Sequence, residues 1–184
     1  MIKSNEEIEL LRIAGKIVGD THNYLKQFIK PGITTNELDK LAYDFIISQD
    51  ATPSFLNYDG FPASICTSIN EEVVHGIPSD RVLQDGDIIS IDIGACYKGY
   101  HGDSAWSYPV GTIDEDKKYL LEHTEKSLYE GLSVIKPGNH IGDIGYAVEK
   151  YALAHKLGVV KELVGHGVGK HLHESPDVPN YGKK

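Results

Sequence analysis

The chain has 184 residues, of which 40% are hydrophobic and 24% are charged, a composition typical of one soluble globular domain. Its formal net charge of −9 argues against a general nucleic-acid-binding or anionic-membrane surface. The sequence contains no apolar run of about 18 residues that would span a membrane, and it starts without the apolar segment of a secretory signal. Its two cysteines, Cys66 and Cys96, are too few for a disulfide framework, which is typical of a reducing cytoplasm.

Two helices are predicted at the start of the chain. Residues 4–7 have the Ser-x-x-Glu pattern of a capping box, and apolar residues follow at helical spacing as far as Phe28. We expect this helix to end at the Lys-Pro-Gly sequence at 30–32, because proline bars its continuation. A second capping box at 34–37 precedes the apolar face of a shorter helix.

Strands are predicted in the middle of the chain. A loop rich in Pro, Asn, Asp and Gly covers 50–62, and strand-like stretches follow at 64–69, 87–95 and 100–110. Lys98-Gly99 is a turn signal between the last two stretches. These two strands are therefore expected to form a hairpin.

The second half of the sequence repeats the helical pattern of the first. A long helix is predicted from residue 114 to a second Lys-Pro-Gly at 136–138, and a shorter one at 141–156. The two Lys-Pro-Gly sequences lie 106 residues apart, and so do Glu37-Leu38 and Asp143-Ile144. This predicts two copies of one αβ unit. A second copy with its own hairpin would extend past residue 184, so we expect the sequence to be a fragment that lacks those strands.

Two aspartates on the predicted hairpin are candidate metal ligands. Asp92 lies in Ile-Ser-Ile-Asp-Ile-Gly at 89–94, where the period of two places it on the face opposite Ile91 and Ile93. The turn places Asp103 roughly across from it, at a Cβ distance of about 4.5–5.5 Å. Two carboxylates that close repel each other, and a divalent cation would neutralise both. Taken alone, the pair is explained better by a solvated surface hairpin.

Histidines supply two further candidates. His166 stands in Gly-His-Gly-Val-Gly at 165–169, where the glycines leave room for close backbone approach. Imidazole is a common ligand of Zn, Mn, Fe and Co, although a flexible glycine loop explains this stretch equally well. His75 lies in a turn between Val74 and Gly-Ile-Pro. For a lone histidine in that place, a structural role is favoured over a catalytic one.

Together, these motifs resemble the type I methionine aminopeptidases over nearly the whole chain. The resemblance is carried by Ser-Ile-Asn-Glu at 68–71, Val-His-Gly-Ile-Pro at 74–78, the Gly and Asp residues at 86, 87, 92, 99, 102 and 103, and Gly-His-Gly-Val-Gly at 165–169 with His-Glu at 173–174. It implies an α+β pita-bread (creatinase/aminopeptidase-like) fold, with two pseudo-symmetric αβ halves around a curved antiparallel sheet. Residues 1–184 would then be a single aminopeptidase domain whose second half is incomplete.

The resemblance also implies an activity and roles for individual residues. The activity is removal of the N-terminal methionine from nascent proteins by peptide hydrolysis that depends on two divalent ions (Co, Mn, Fe or Zn). Asp92, Asp103 and His166 would be the metal ligands, with Asp103 bridging both ions. His75 and His173 would be catalytic and substrate-binding residues, at the scissile amide and at its carbonyl oxygen. Four residues that would otherwise be assigned to ordinary core packing would line the methionine pocket: Tyr58, Phe61, Cys66 and Leu172.

The departure from the family that matters most for activity lies in the metal site. The family completes its metal site with two glutamates on strands of the second half, and neither is present, so we expect residues 1–184 alone to release little or no methionine. Two alternatives stay open: a proline-specific aminopeptidase or dipeptidase of the same fold, and a non-catalytic pita-bread binding module. The expected partners are nascent peptides that begin with methionine, with the ribosome left open. A cytoplasmic monomer without nucleic-acid or membrane binding is predicted.

Overall fold

The computed structural model describes residues 2–183, in which the chain forms two compact units. Unit 1 comprises the residues up to Asp114 together with Val168–Leu172, and unit 2 comprises Glu115–Gly167 and the residues from His173 onward. The boundary at Asp114 coincides with the start of the second helical pattern in the sequence. None of the helices in residues 2–183 has the length and apolar character needed to cross a lipid bilayer.

Unit 1 begins with two helices, α1 (Asn5–Leu25) and α2 (Thr35–Ser48). The capping box predicted at the start of α1 is confirmed: the Ser4 N–H donates to Glu7 Oε2 at 2.8 Å, and the Glu7 N–H donates to Ser4 Oγ at 3.2 Å. A box of the same kind caps α2. Helix α1 ends at Leu25, five residues before the predicted end, because a tighter turn replaces it. In that turn the Phe28 N–H donates to the Leu25 carbonyl at 2.9 Å.

Four strands form the antiparallel sheet of unit 1: β1 (Thr52–Pro53), β2 (Ile65–Ile69), β3 (Ile88–Tyr97) and β4 (Tyr100–Pro109). Strand β3 is central, since it pairs with the other three. The predicted hairpin is confirmed, with Tyr97 opposite Tyr100. Lys98 and Gly99 between them both have positive φ, 48° and 81°, as a two-residue hairpin turn requires. Strand β1 lies inside the segment predicted as a loop.

One face of this sheet forms the core of unit 1. Ile89, Ile91 and Ile93 are each 0% exposed and pack with Leu25 and Leu38 of the two helices. Full burial of such a side chain stabilises the fold by roughly 1.5–3 kcal/mol. The alternation that buries the isoleucines places Asp92 on the other face, which confirms the prediction made from the period of two.

Unit 2 has two helices, α3 (Glu115–Ser133) and α4 (Ile141–Ala154), and a two-stranded antiparallel sheet of β5 (Gly165–Gly167) and β6 (Glu174–Val178). The buried residues of its helices are small, namely Ser127, Gly131, Gly145 and Ala152. The larger side chains of α3 stay open to solvent, with Leu120, Leu128 and Leu132 41–47% exposed. Among the described residues, unit 2 therefore has no counterpart to the core of unit 1.

The repeat predicted from the sequence is visible in the backbone. Helices α2 and α4 are both 14 residues long, and they begin 106 residues apart, at Thr35 and Ile141. The glycines of the two Lys-Pro-Gly sequences have nearly the same conformation, with φ +98° at Gly32 and +94° at Gly138. Glycine adopts this region readily, whereas other residues do so at a cost.

Candidate metal centre and substrate site

The two candidate aspartates meet on the polar face of the hairpin. Strand pairing sets Asp92 opposite Ala105 and Asp103 opposite Gly94, so the aspartates are diagonal neighbours on one face. The turn predicted them roughly across from each other, and they lie diagonally because the two-residue turn at Lys98 sets Tyr97 opposite Tyr100. Diagonal neighbours lie within reach of longer side chains, and here the two carboxyl groups are hydrogen-bonded to each other.

The environment of this pair is strongly negative. Burial, followed by the charge of Asp92 and its hydrogen bond, raises the pKa of Asp103 to about 8. Burial and the charges of both aspartates raise the pKa of the Cys66 thiol to about 12. Oδ1 of Asp92 is buried and has no hydrogen-bond partner in the part of the chain that the structure describes. A buried carboxylate oxygen without a partner is costly, and a bound cation would remove that cost.

The residues present fit a divalent cation as part of a donor set. Carboxylate oxygens are ligands that divalent cations favour, and the unpartnered Asp92 oxygen is available to one. Among residues 2–183, no three His, Cys, Asp or Glu side chains are grouped closely enough to hold a metal ion by themselves. His166 belongs to unit 2. Its place beside Asp92 and Asp103 therefore stays a prediction.

Within unit 2, the structure brings two of the predicted histidines together. The rings of His166 and His173 lie 4.1 Å apart between centroids. His166 Nδ1 lies 3.0 Å from the Gly167 carbonyl, and because a carbonyl can only accept, Nδ1 carries the proton and Nε2 the lone pair. Gly167 is required here, since a Cβ would stand 2.8 Å from the Ser175 carbonyl oxygen. The close backbone approach predicted for the glycines is thus found at this position.

The third predicted histidine, His75, lies in the loop between β2 and β3 of unit 1. It is exposed and has a left-handed backbone conformation, with φ +61°. Apolar side chains on the same loop are also exposed, with Val73 at 60% and Ile77 at 57%. Its contact with a substrate stays a prediction.

Three of the four predicted pocket residues form one apolar cluster in unit 1. Cys66 and Leu172 are buried together, with Phe61 packed against them. Tyr58 lies outside this cluster and is 39% exposed, although its carbonyl accepts the Phe61 N–H at 2.9 Å. The cluster also contains Phe55, which the sequence analysis did not identify.

The sequence feature connected with the position of Phe55 is Gly94, a glycine within strand β3. It lies two residues after Asp92 and so shares its face of β3. A Cβ at Gly94 would stand 2.6 Å from Phe55 Cε1, so glycine leaves the space that the phenylalanine ring occupies. Cys66 stands opposite Asp92 in the strand register. The apolar cluster therefore adjoins the aspartate pair.

Comparisons with known proteins agree with these observations. Residues 9–184 match the model of metallopeptidase family M24. Methionine aminopeptidase 1 of Bacillus subtilis is 58% identical over 180 residues, which are 98% of this chain and 73% of the relative. A crystal structure of methionine aminopeptidase from Rickettsia prowazekii matches with a TM-score of 0.97 and 42% identity, over 100% of this chain and 74% of that one.

A structure from the proline-specific group matches less well. The Xaa-Pro dipeptidase of Bacillus anthracis has a TM-score of 0.84 and 26% identity, over 97% of this chain and 49% of that one. Likeness to both groups confirms the expected α+β pita-bread fold, and family membership implies divalent metal ions. The higher identity to the methionine enzymes covers nearly the whole chain. The chain therefore belongs to metallopeptidase family M24 and, within it, to the methionine aminopeptidases.

Proposed function

We propose that this protein removes N-terminal methionine by metal-dependent hydrolysis, with Asp92, Asp103 and His166 as its metal ligands. The observation that carries the proposal is the half-buried aspartate pair, with one buried carboxylate oxygen that has no partner among the described residues. Cys66, from the apolar cluster, stands opposite Asp92 in the strand register. A charged centre and an apolar cluster side by side suit a substrate that has both an amine and an apolar side chain.

Each histidine has a proposed role. The Nδ1–H of His166 is held by the Gly167 carbonyl, which directs the Nε2 lone pair to a metal. His173 would donate a hydrogen bond to the substrate carbonyl oxygen as negative charge develops there, a contribution commonly worth about 2.7–4 kcal/mol of barrier. His75 would contact the scissile amide. When bound, two divalent cations supply the established chemistry of two-metal aminopeptidases, which activates water and polarises the carbonyl.

The apolar cluster is the proposed methionine pocket. Phe55, Phe61, Cys66 and Leu172, which form one cluster, would contact the unbranched thioether side chain, with Tyr58 at the border. Methionine adapts well to irregular apolar sites, and its burial stabilises a complex by roughly 1.5–3 kcal/mol. Oxygen ligands with a single imidazole suit Co, Mn or Fe at least as well as Zn.

The test combines metal content with methionine release. The full-length gene product, including any residues that follow Lys184, is assayed on a Met-Ala-Ser peptide with added Mn²⁺ or Co²⁺. Asp92→Asn and Asp103→Asn are each expected to reduce bound metal and to lower kcat/KM by about 100-fold or more. The matched control is Asp44→Asn, which alters an exposed carboxylate on α2 that pairs with Lys40. Unchanged metal content in both site variants would contradict the proposal.

Assays of the same full-length protein distinguish the proposed function from two alternatives. A proline-specific enzyme would cleave Ala-Pro peptides in preference to Met-Ala peptides. A binding module would retain metal and peptide without turnover. The retained ligand and substrate residues Asp92, Asp103, His166, His75 and His173 favour the enzyme, since a pure binder has no need of all five.

The proposed setting is the cytoplasm, with nascent peptides that begin with methionine as substrates. Both cysteines are free thiols, as expected in a reducing compartment. The acidic balance of −9 favours neither nucleic acid nor anionic membrane as a partner. We propose a monomer, which sedimentation equilibrium would test, and co-sedimentation with ribosomes would show whether they are a further partner.

A further inference from the structure

His75 has an uncommon backbone conformation. No hydrogen bond in the described part of the chain fixes its imidazole. Its backbone lies in the left-handed region, with φ +61°, where a residue other than glycine is less stable by about 1–2 kcal/mol. A histidine in this conformation persists only if its neighbours in the loop enforce it.

Gly76 is the neighbour that attaches the loop to the sheet. Its carbonyl accepts the Thr67 N–H at 2.8 Å, and its own N–H donates to Ser68 Oγ at 3.1 Å. A Cβ on Gly76 would stand 2.0 Å from the Thr67 carbonyl oxygen, so only glycine fits. The peptide that follows His75 therefore lies directly against strand β2.

Ser68 provides the side chain in this attachment. It is 4% exposed and lies two residues after Cys66, on the same face of β2. In the register it stands opposite Ser90, whereas Cys66 stands opposite Asp92. The residue that holds the His75 loop thus shares a sheet face with the proposed metal ligand and methionine pocket.

We propose that Ser68 is a positioning residue for substrate hydrolysis. By accepting the Gly76 N–H, its hydroxyl holds the left-handed backbone of His75 and directs the imidazole towards the bound peptide. The proposal rests on the proposed function of His75 as a substrate contact. Loss of the hydroxyl leaves the Gly76 N–H without its acceptor and allows the His75 backbone to relax to ordinary φ values.

The test uses the full-length gene product and its methionine release from Met-Ala-Ser. Ser68→Ala is expected to lower kcat about tenfold with little change in KM, because the His75 contact matters most in the transition state. Ser68→Thr, which keeps the oxygen, should restore most of the rate. In a His75→Ala background, Ser68→Ala should have no further effect. Exchange of the Gly76 amide proton should be faster in Ser68→Ala, whatever the turnover.

Ser107→Ala is the matched control, because Ser107 lies on the same sheet face and bonds to Ser90 Oγ at 2.7 Å, not to the loop. Equal loss of kcat in Ser68→Ala and Ser107→Ala, or an additive loss in the His75→Ala background, would overturn the positioning role. Unchanged exchange at Gly76 in Ser68→Ala would overturn it as well. An unchanged kcat in His75→Ala alone would instead overturn the proposed function of His75, so the two failures are distinguishable.

Discussion

Units 1 and 2 start from the same sequence pattern and reach different degrees of burial. Each has a long helix, a Lys-Pro-Gly sequence and a 14-residue helix, with glycine φ values of +98° and +94°. In unit 1 the apolar faces of the helices pack on a four-stranded sheet, and Leu25 and Leu38 are 0% exposed. In unit 2, Leu128 of α3 stays 44% exposed.

This difference in burial distinguishes structure that forms from the local sequence from structure that depends on tertiary contacts. Caps, proline and glycine act within a few residues, so both copies form their helices at the same offset. Burial depends on strands that come from elsewhere in the chain. Most helical stability in proteins comes from packing of the apolar face, so the two units should respond differently to matched substitutions.

The largest expected effect is a core truncation in unit 1. Ile91→Ala removes a fully buried side chain and should lower the free energy of unfolding by about 2–5 kcal/mol. Leu128→Ala, at a half-exposed position of unit 2, should lower it by about 1 kcal/mol or less. Denaturant titration measures both, with fluorescence of Trp106, the single tryptophan, reporting unit 1. Equal losses would remove the distinction between the units.

Substitutions of Gly32 and Gly138, the glycines of the two Lys-Pro-Gly sequences, test whether the two units share one local backbone conformation. An added Cβ at Gly32 or Gly138 meets open space, so the cost of each Gly→Ala change is conformational, about 1–2 kcal/mol. Gly32→Ala should shift the unfolding midpoint seen by Trp106, whereas Gly138→Ala should appear only in the helical circular dichroism signal. Gly15→Ala on α1 is the control. Its position is helical and open, so it should be neutral or slightly stabilising.

A substitution of Thr67 is expected to have a smaller effect on stability, and in the opposite direction. Its hydroxyl is buried and has no hydrogen-bond partner in the described residues. Thr67→Val should therefore stabilise unit 1 by about 1 kcal/mol, because an unsatisfied polar group is replaced by an apolar one. Thr21→Val is the matched control, since the buried Thr21 hydroxyl donates to the Ile17 carbonyl at 2.7 Å. That variant should gain nothing, and thermal unfolding would compare the two.

The smallest expected effect is a pH dependence in unit 1. His22 is buried, donating from Nε2 to the Ser104 carbonyl and accepting at Nδ1 from the Tyr108 hydroxyl, each at 3.0 Å. Burial lowers the pKa of His22 below its ordinary 6.5, with Ser104 and Asp92 opposing that shift. The unfolded chain therefore binds the proton first, so stability is full above pH 6.5 and declines below it.

His22→Gln should abolish this part of the pH dependence, which unfolding titrations between pH 7.5 and 5.5 would measure. A slope that is the same in His22→Gln as in the parent would show that His22 is not its source.

The sequence predicted those features that depend on near neighbours. Both capping boxes, the Lys98-Gly99 hairpin and the face of Asp92 follow from spacing alone. The diagonal placement of Asp103 could also have been counted from the turn. The sequence analysis did not identify strand β1 or the contact of Phe55. Their segment is ordered by pairing with β3 and by the space that Gly94 leaves beside Phe55.

Contacts between residues far apart in the sequence do not follow from local patterns. Strand β5 was not predicted, since three residues carry no periodic signal and its pairing with β6 is a tertiary contact. The site residues were assigned by motif resemblance. The structure groups His166 with His173 and Asp92 with Asp103, and the sharing of one ion by both groups stays a prediction.

Leu172 has a consequence for the order of folding. It is 2% exposed, yet it is separated from Cys66 by more than half the length of the chain. During synthesis, the amino-terminal half emerges from the ribosome long before Leu172. Cys66 therefore lacks this apolar neighbour until late in synthesis. Contacts between residues so far apart in the sequence slow folding, and an expression fragment that ends at Asp114 would lack the contact with Leu172 altogether.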